Sequence, residues 1–300
     1  MYDGNGSNEP STLTLSSGAA PRPPRVQANF GAVTHRGNVR TNNEDHFLVA
    51  RLTKAMRILR TSLVDSSPKR FADDDGYLMI VADGLGGAAA GERASGQAIQ
   101  TVQDFALNSF QWFLSLDPKQ DGELQRELRA AIEEADRVVF DRASSDRRLS
   151  GMGSTLTMGF SVADEMYIAN VGDSRAYLYR DGVLDQITRD DTLAQLLVDA
   201  GQIPPEAART HARRHVVTNV IGGPSEGVTA KIHKLRLLDG DVLVLCSDGL
   251  TEPVRDDAIA AILAESTDPE SAANALVDRA LDHGGPDNVT VVVARYRVET

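Results

Sequence analysis

The sequence predicts an α+β fold in which β-sheets pack on each other and helices lie outside. Two observations carry this. Strand-like and helix-like stretches come in blocks and not in steady β-α-β alternation, which disfavours a doubly wound parallel sheet. The composition, 41% hydrophobic and 25% charged, is that of a globular chain. Aromatics are sparse at 5%, so Val, Leu, Ile and Ala must build the core. No repeat of 20–50 residues is apparent.

Residues 1–28 read as a flexible tail, rich in Ser, Gly, Asn and Pro, with four of the twelve prolines (Pro10, Pro21, Pro23, Pro24). Strands are expected over 28–34 and 46–52, joined by a polar loop. Residues 53–76 are basic, then acidic, and read as a surface insertion. The run 77–82 is a compact apolar strand ending in Asp83-Gly84. Two long amphipathic helices follow: Ala94, Ala98, Val102 and Phe105 recur at helical spacing within 92–116, and Leu124, Leu128, Ala131, Ala135 and Val138 repeat the pattern. Short strands return between 152 and 187. A short helix over 188–200 closes at Gly201, with Asp190-Asp191 expected to cap its start. Residues 203–227, with their Pro and Gly pairs and cationic side chains, read as an exposed flap. Strands over 229–237 and 241–246, helices over 256–265 and 270–283, and a strand over 289–298 complete the chain.

The charge balance excludes some functions. Lys+Arg 31 against Asp+Glu 43 gives a net charge of −12, which argues against a nucleic-acid or anionic-membrane surface. No apolar stretch approaches the ~18–20 residues of a membrane span, and no secretory leader is visible. The single cysteine, Cys246, cannot form an internal disulfide, so a cytoplasmic setting is expected.

The carboxylates are the informative feature. Residues 77–85 and 241–250 echo each other: each is an apolar run delivering an Asp-Gly (Asp83-Gly84, Asp248-Gly249) to its C-terminal end. Glu44-Asp45, Asp173-Ser174, Asp190-Asp191 and Asp287-Asn288 sit at comparable strand ends. An Asp-Gly alone is ordinarily a turn. Several carboxylates converging in one buried site, however, repel one another unless cations neutralise them. Oxygen ligands without paired His or Cys favour Mg²⁺ or Mn²⁺ over zinc. A binuclear centre of that kind suits phosphoester hydrolysis, because it activates a water and neutralises the phosphoryl oxygens. Arg40, four residues before Glu44, is placed to hold the phosphate with both arms of its guanidinium.

Six motifs then occur in one order: Arg40-Thr-Asn-Asn-Glu44-Asp45, Val81-Ala-Asp83-Gly84-Leu-Gly86-Gly87, Gly151-Met-Gly153-Ser154-Thr155, Val171-Gly172-Asp173-Ser174-Arg175, Cys246-Ser-Asp248-Gly249-Leu250 and Gly285-Pro-Asp287-Asn288-Val289-Thr290. Together they resemble the metal-dependent serine/threonine protein phosphatases of the 2C type in their bacterial form, over residues 29–298. The resemblance implies a four-layer α-β-β-α sandwich, a central antiparallel β-sandwich flanked by helix pairs, built as one phosphatase domain. It implies two core Mn²⁺ or Mg²⁺ ions and a third, weaker one. Asp83 resembles the carboxylate that bridges the core ions, and Asp248 and Asp287 the other ligands of the first. Glu44 and the Gly84 carbonyl resemble ligands of the second, and Asp173 a ligand of the third, shared with Asp248. Arg40 would hold the phosphate; Asp45 and Asn288 would support the ligands by hydrogen bonds. The implied partners are phosphorylated proteins and, by analogy, a serine/threonine kinase that makes them. One departure stands out. Animal enzymes of this family carry a His directly after the Asp-Gly, read as the acid for the leaving alkoxide; here that place is Leu85, which has no proton to give, so the leaving oxygen is expected to take its proton from water, free or metal-bound.

Competing readings are weaker. Gly223-Pro-Ser225-Glu-Gly227, with Asp248 and His283 following, matches the order of a serine-hydrolase triad, but a strand and not a helix is expected after the serine. Residues 73–76 hint at a calcium loop, but Phe71 and Ala82 occupy its first and twelfth ligand places. There is no P-loop. The six histidines, at 35, 46, 211, 215, 233 and 283, show no ligand spacing and read as surface or structural. A catalytically silent phosphoprotein-binding module on the same fold would have lost metal carboxylates, and Glu44, Asp83, Asp248 and Asp287 are all present.

Overall fold

A computed structural model describes residues 25–52, 76–86, 88–108 and 121–299. The architecture follows from strands that are apolar on both faces. In β3 (Gly76–Ala82), Tyr77, Met79 and Val81 point one way, while Leu78, Ile80 and Ala82 point the other, and all are buried. The strands β12 (Val242–Cys246) and β13 (Val289–Glu299) divide in the same manner: Val244, Cys246, Val291 and Val293 face one core, and Leu243, Leu245, Val292 and Ala294 face another. A strand buried on both faces needs cover on both sides, and the fold supplies it in four layers.

One five-stranded sheet runs in the order β1 (Arg25–His35), β13, β12, β8 (Arg175–Arg180), β9 (Val183–Gln186). The second runs β11 (Lys231–Arg236), β7 (Glu165–Val171), β6 (Leu156–Val162), β3, β2 (His46–Leu52). All neighbours within both sheets are antiparallel. The sheets face each other across a core containing Met79, Met166, Ile168, Leu243, Leu245, Val292 and Tyr296. The helices α1 (Ala88–Asn108) and α2 (Asp121–Ser145) cover the second sheet through Ala94, Ala98, Val102, Leu124, Leu128, Ile132 and Val139. The first sheet is covered by α6 (Asp256–Glu265) and α7 (Pro269–Asp282), through Ile259, Leu263, Leu276 and Val277. Each such side chain contributes about 1.5–3 kcal/mol by leaving water.

A small three-stranded sheet, β10 (Ile221–Gly222), β5 (Gly153–Ser154) and β4 (Gly84–Leu85), lies at one end. The remaining helices are short: α3 (Leu193–Asp199), α4 (Pro205–Ala208) and α5 (Asp248–Thr251).

The structure corrects three details. The first described strand starts at Arg25, ahead of the boundary at 29, because Val26 is buried between the sheets and pairs with Val298; residues 1–24 of the expected tail lie outside the described residues. Residues 53–75 of the expected insertion lie outside the described residues, and Gly76 belongs to β3. The short helix spans only Leu193–Asp199, and Thr192 is its cap, its side chain accepting from the Gln195 N–H. Asp190 instead forms a two-armed pair with Arg175, and Asp191 accepts from the Gly172 N–H.

Candidate metal centre and active site

Strand register gathers the acidic turns at one end of the sandwich. β3 ends at Ala82 opposite His46, where β2 begins, so Asp83 and Glu44-Asp45 emerge side by side. On the other sheet Cys246 pairs with Val291, and Val289 with His35, which sets Asp248 beside Asp287-Asn288. β7 ends at Val171 opposite Leu156 and delivers Gly172-Asp173 to the same end. A cleft of about 490 Å³ opens there, lined by Arg40, Glu44, Asp83, Gly84, Asp173, Asp248, Asp287 and Asn288, all residues expected from sequence.

Glu44, Asp45 and Asp83 are held from behind, and Asp248 through the serine that precedes it. The Asp83 N–H donates to Thr155 Oγ1 at 3.0 Å, and its carbonyl accepts from the Thr155 N–H at 2.9 Å and Ser154 Oγ at 3.0 Å. Asn288 Oδ1 accepts from the Glu44 N–H at 2.8 Å, while its amide nitrogen donates to the carbonyls of Arg36 and Asn42. Ser247, which precedes Asp248, donates to Asp45 Oδ2 at 2.7 Å and accepts from the Thr290 N–H. Ser95 of α1 donates to the Glu44 carbonyl at 2.5 Å. The Gly84 backbone lies against α1 so closely that a β-carbon on it would be 2.2 Å from the Gly91 carbonyl oxygen.

The electrostatics are those of charge crowded out of water. Burial first, and neighbouring carboxylates second, hold the carboxyls of Asp83 and Asp173 well above the usual range. Burial likewise pushes Asp248 up to about 6 and Asp45 up to about 7. Glu44 is raised by burial, with Arg40 opposing. Arg40 is more than half exposed, and its Nη2 donates to Asp287 Oδ2 at 2.6 Å. Oδ1 of Asp248 and Oδ1 of Asp45 are buried without a hydrogen-bond partner. Among the described residues no three acidic, His or Cys side chains meet in a ready-made cation cage; the carboxylates line the cleft instead of closing on a point.

Sequence reasoning missed the far wall. Arg214, His215 and Val217 of the 203–227 segment line the cleft together with Glu252. That segment is therefore more than an exposed flap. Arg209 donates to the Thr251 carbonyl at 3.0 Å, and Arg214 Nε to Glu252 Oε2 at 3.0 Å, tying it to α5, which begins with Asp248. The cationic run Arg209, Arg213 and Arg214 was the available signal. The serine-hydrolase reading fails on geometry. Asp136 of α2 accepts from the N–H groups of Gly222 and Gly227, fixing a turn on which Ser225 is exposed, and Ser225 does not line the cleft. The next regular element is strand β11, not the helix that a nucleophile elbow requires.

The sequence model of the family described as Protein phosphatase 2C matches residues 65–283. The chain belongs to this family. Among curated 2C-type relatives, the serine/threonine protein phosphatase PstP of Mycobacterium tuberculosis is 36% identical over 265 residues, which is 88% of this chain and 44% of that protein. The chain thus spans less than half of that relative's length. The serine/threonine phosphatase stp of Listeria monocytogenes is 32% identical, covering 87% of this chain and 92% of its own. A crystal structure of PstP superposes with a TM-score of 0.71 at 34% identity, covering 89% of this chain and 98% of that one. The PstP catalytic domain in complex with two manganese ions gives 0.70 at 33% identity, covering 91% and 99%. The four-layer sandwich is the fold of these 2C-type neighbours.

Proposed function

We propose that this 2C-family chain hydrolyses phosphoserine and phosphothreonine in proteins and depends on Mn²⁺ or Mg²⁺ to do so. The observation that carries the reading is the gathering of Glu44, Asp83, Asp173, Asp248 and Asp287 around one cleft. The donor set fits hard cations: it is made of carboxylate and carbonyl oxygens. The unpartnered Asp248 Oδ1 fits as well, since a buried acceptor left unsatisfied costs about 1–3 kcal/mol unless something comes to it.

In this reading Asp83, Asp248 and Asp287 would hold one ion, Asp83, Glu44 and the Gly84 carbonyl a second, and Asp173 with Asp248 a weaker third. Bound there, the ions would supply the Lewis acidity that activates a water and neutralises phosphoryl charge. The chain's own groups do the rest. Arg40, at the exposed mouth, exchanges its contact with Asp287 for the phosphate oxygens of the substrate. Asn288 and Ser95 fix the Glu44 backbone, and Asp45 with Ser247 fixes the start of α5, so the ligands are aimed before substrate arrives. Leu85 lines the cleft and has no proton to donate.

Phosphorylated proteins are the substrates, and a serine/threonine kinase is the enzyme that makes them. The proposed setting is cytoplasmic, in keeping with a lone cysteine, Cys246, that is free and buried. No described helix is long and apolar enough to cross a membrane. Phosphate release from a panel of phosphoserine, phosphothreonine and phosphotyrosine proteins, with and without Mn²⁺, tests this. Turnover of the first two with Mn²⁺ alone is expected. Binding without turnover on every substrate would instead mark a silent module.

A further inference from the structure

Removing a phosphoryl group from serine leaves an alkoxide, which departs readily only if a proton reaches it. Leu85 cannot supply one. Arginines hold their protons too tightly to serve; in the phosphatase reading, on which this inference rests, Glu44 and the Asp side chains of the cleft are committed to cations, and Glu252 is ion-paired with Arg214. Among the residues lining the cleft there is one imidazole, His215.

Its surroundings set it up for the task. His215 Nδ1 lies 3.6 Å from Glu252 Oε1, and Glu252 is steadied by Arg214 Nε on its other oxygen at 3.0 Å. Glu252 follows α5 directly, its N–H donating to the Asp248 carbonyl at 2.8 Å, so the imidazole is referenced to a proposed metal ligand through one turn of chain. The residues after it are pinned: the Leu193 N–H donates to the Val216 carbonyl at 2.8 Å, Val217 bridges Thr192, and the Thr218 N–H donates to the Asp191 carbonyl at 2.7 Å. With Nδ1 turned to Glu252, Nε2 is the nitrogen left for a substrate, and the side chain is half exposed, within reach of a protein. Glu252, Arg214 and Asp248 are the charged groups around it. At 3.6 Å the two groups are in ion-pair contact, and contacts of this kind close to hydrogen-bond distance when substrate binds.

We propose that His215 is the general acid of the reaction. The attacking water forms the new P–O bond, and the P–Oγ bond to serine or threonine breaks with its electron pair on Oγ. His215 Nε2–H passes its proton to that Oγ, leaving a neutral imidazole and the free alcohol. The proton shed by the water restores the imidazolium through solvent. Glu252 orients the ring.

The test compares leaving groups in the Mn²⁺-loaded full chain. His215→Gln is expected to lower kcat on a phosphoserine peptide by about 100-fold, within the ~10²–10⁴ that general acids contribute. It should change kcat on p-nitrophenyl phosphate, whose leaving group needs no proton, by less than about twofold. Mn²⁺ stoichiometry by calorimetry should match the wild type. An equal loss on both substrates, a rise in peptide KM alone, no change, or a lost metal would each overturn the assignment. Wild-type protein that cleaves neither substrate would instead sink the phosphatase reading itself.

Discussion

A β-carbon on Gly91 would lie 1.9 Å from Glu44 Oε2. The first turn of α1 thus carries a glycine where any side chain would occupy the place of the Glu44 carboxylate. Gly91→Ala gains up to ~1 kcal/mol of helix propensity, but it displaces the Glu44 carboxylate and presses at 2.9 Å on the backbone of Gly84, the other proposed ligand beside it. The variant is expected to fold with a Tm at or somewhat below that of wild type. It should need at least about tenfold more Mn²⁺ for half-maximal phosphate release, if Glu44 is aimed at a cation as the donor chemistry requires. An unchanged Mn²⁺ requirement would remove the Glu44 and Gly84 pair from the ligands.

Arg40 sits at the mouth with its guanidinium on Asp287 at 2.6 Å. Its contribution is to ground-state holding of the phosphate, so Arg40→Ala should raise KM more than it lowers kcat. Steady-state kinetics on a phosphopeptide reads this directly, and a KM equal to wild type would place the phosphate elsewhere.

The buried carboxyls make a statement about pH. Asp248 and Asp45 stand at about 6 and about 7 in the fold, against 3.8 ordinarily, and burial raises Asp83 and Asp173 in the same direction. A carboxyl raised by folding binds its proton better folded than unfolded. Its stability contribution is therefore complete below 3.8 and is lost as pH climbs through about 6 and 7. Metal-free protein should melt at a lower temperature at pH 8 than at pH 5.5, and Mn²⁺ should restore Tm at pH 8. A metal-free Tm that rises over this interval would contradict the crowding of charge described here.

Much of this was legible in the sequence, for reasons that differ by residue. Asp83 and Asp248 announced themselves because apolar runs such as 77–82 can only be buried strands, and a carboxylate at the end of a buried strand needs a purpose. Packed sheets with helices outside were readable because helical and strand patterns fell in blocks, while the four-layer order came from the family resemblance. What stayed hidden depended on distant contacts. Val26 joins the fold through pairing with Val298 across the whole chain, and tail-like neighbours such as Pro23 and Pro24 masked it. The cap of α3 is Thr192 and not Asp190 or Asp191, because those two are drawn away to Arg175 and Gly172. His215 had no ligand spacing to mark it, and only the folding of its segment onto α5 brings it to the cleft. Ser154 and Thr155 sat inside a matched motif, yet their service to the Asp83 backbone shows only in three dimensions.

The central claim is that these strand-end carboxylates are a cation centre that performs the hydrolysis. One titration tests it most directly: Mn²⁺ added to chelator-stripped wild type, Asp83→Asn and Asp173→Ala, with heat and phosphate release from a phosphoserine peptide followed together. Wild type should bind two ions tightly and regain turnover as they bind. Asp83→Asn should bind fewer and stay inactive, while Asp173→Ala should keep both tight ions and need more Mn²⁺ for half-maximal rate. Full turnover in stripped wild type, or loss of the tight ions from Asp173→Ala while Asp83→Asn retains them, would contradict the account.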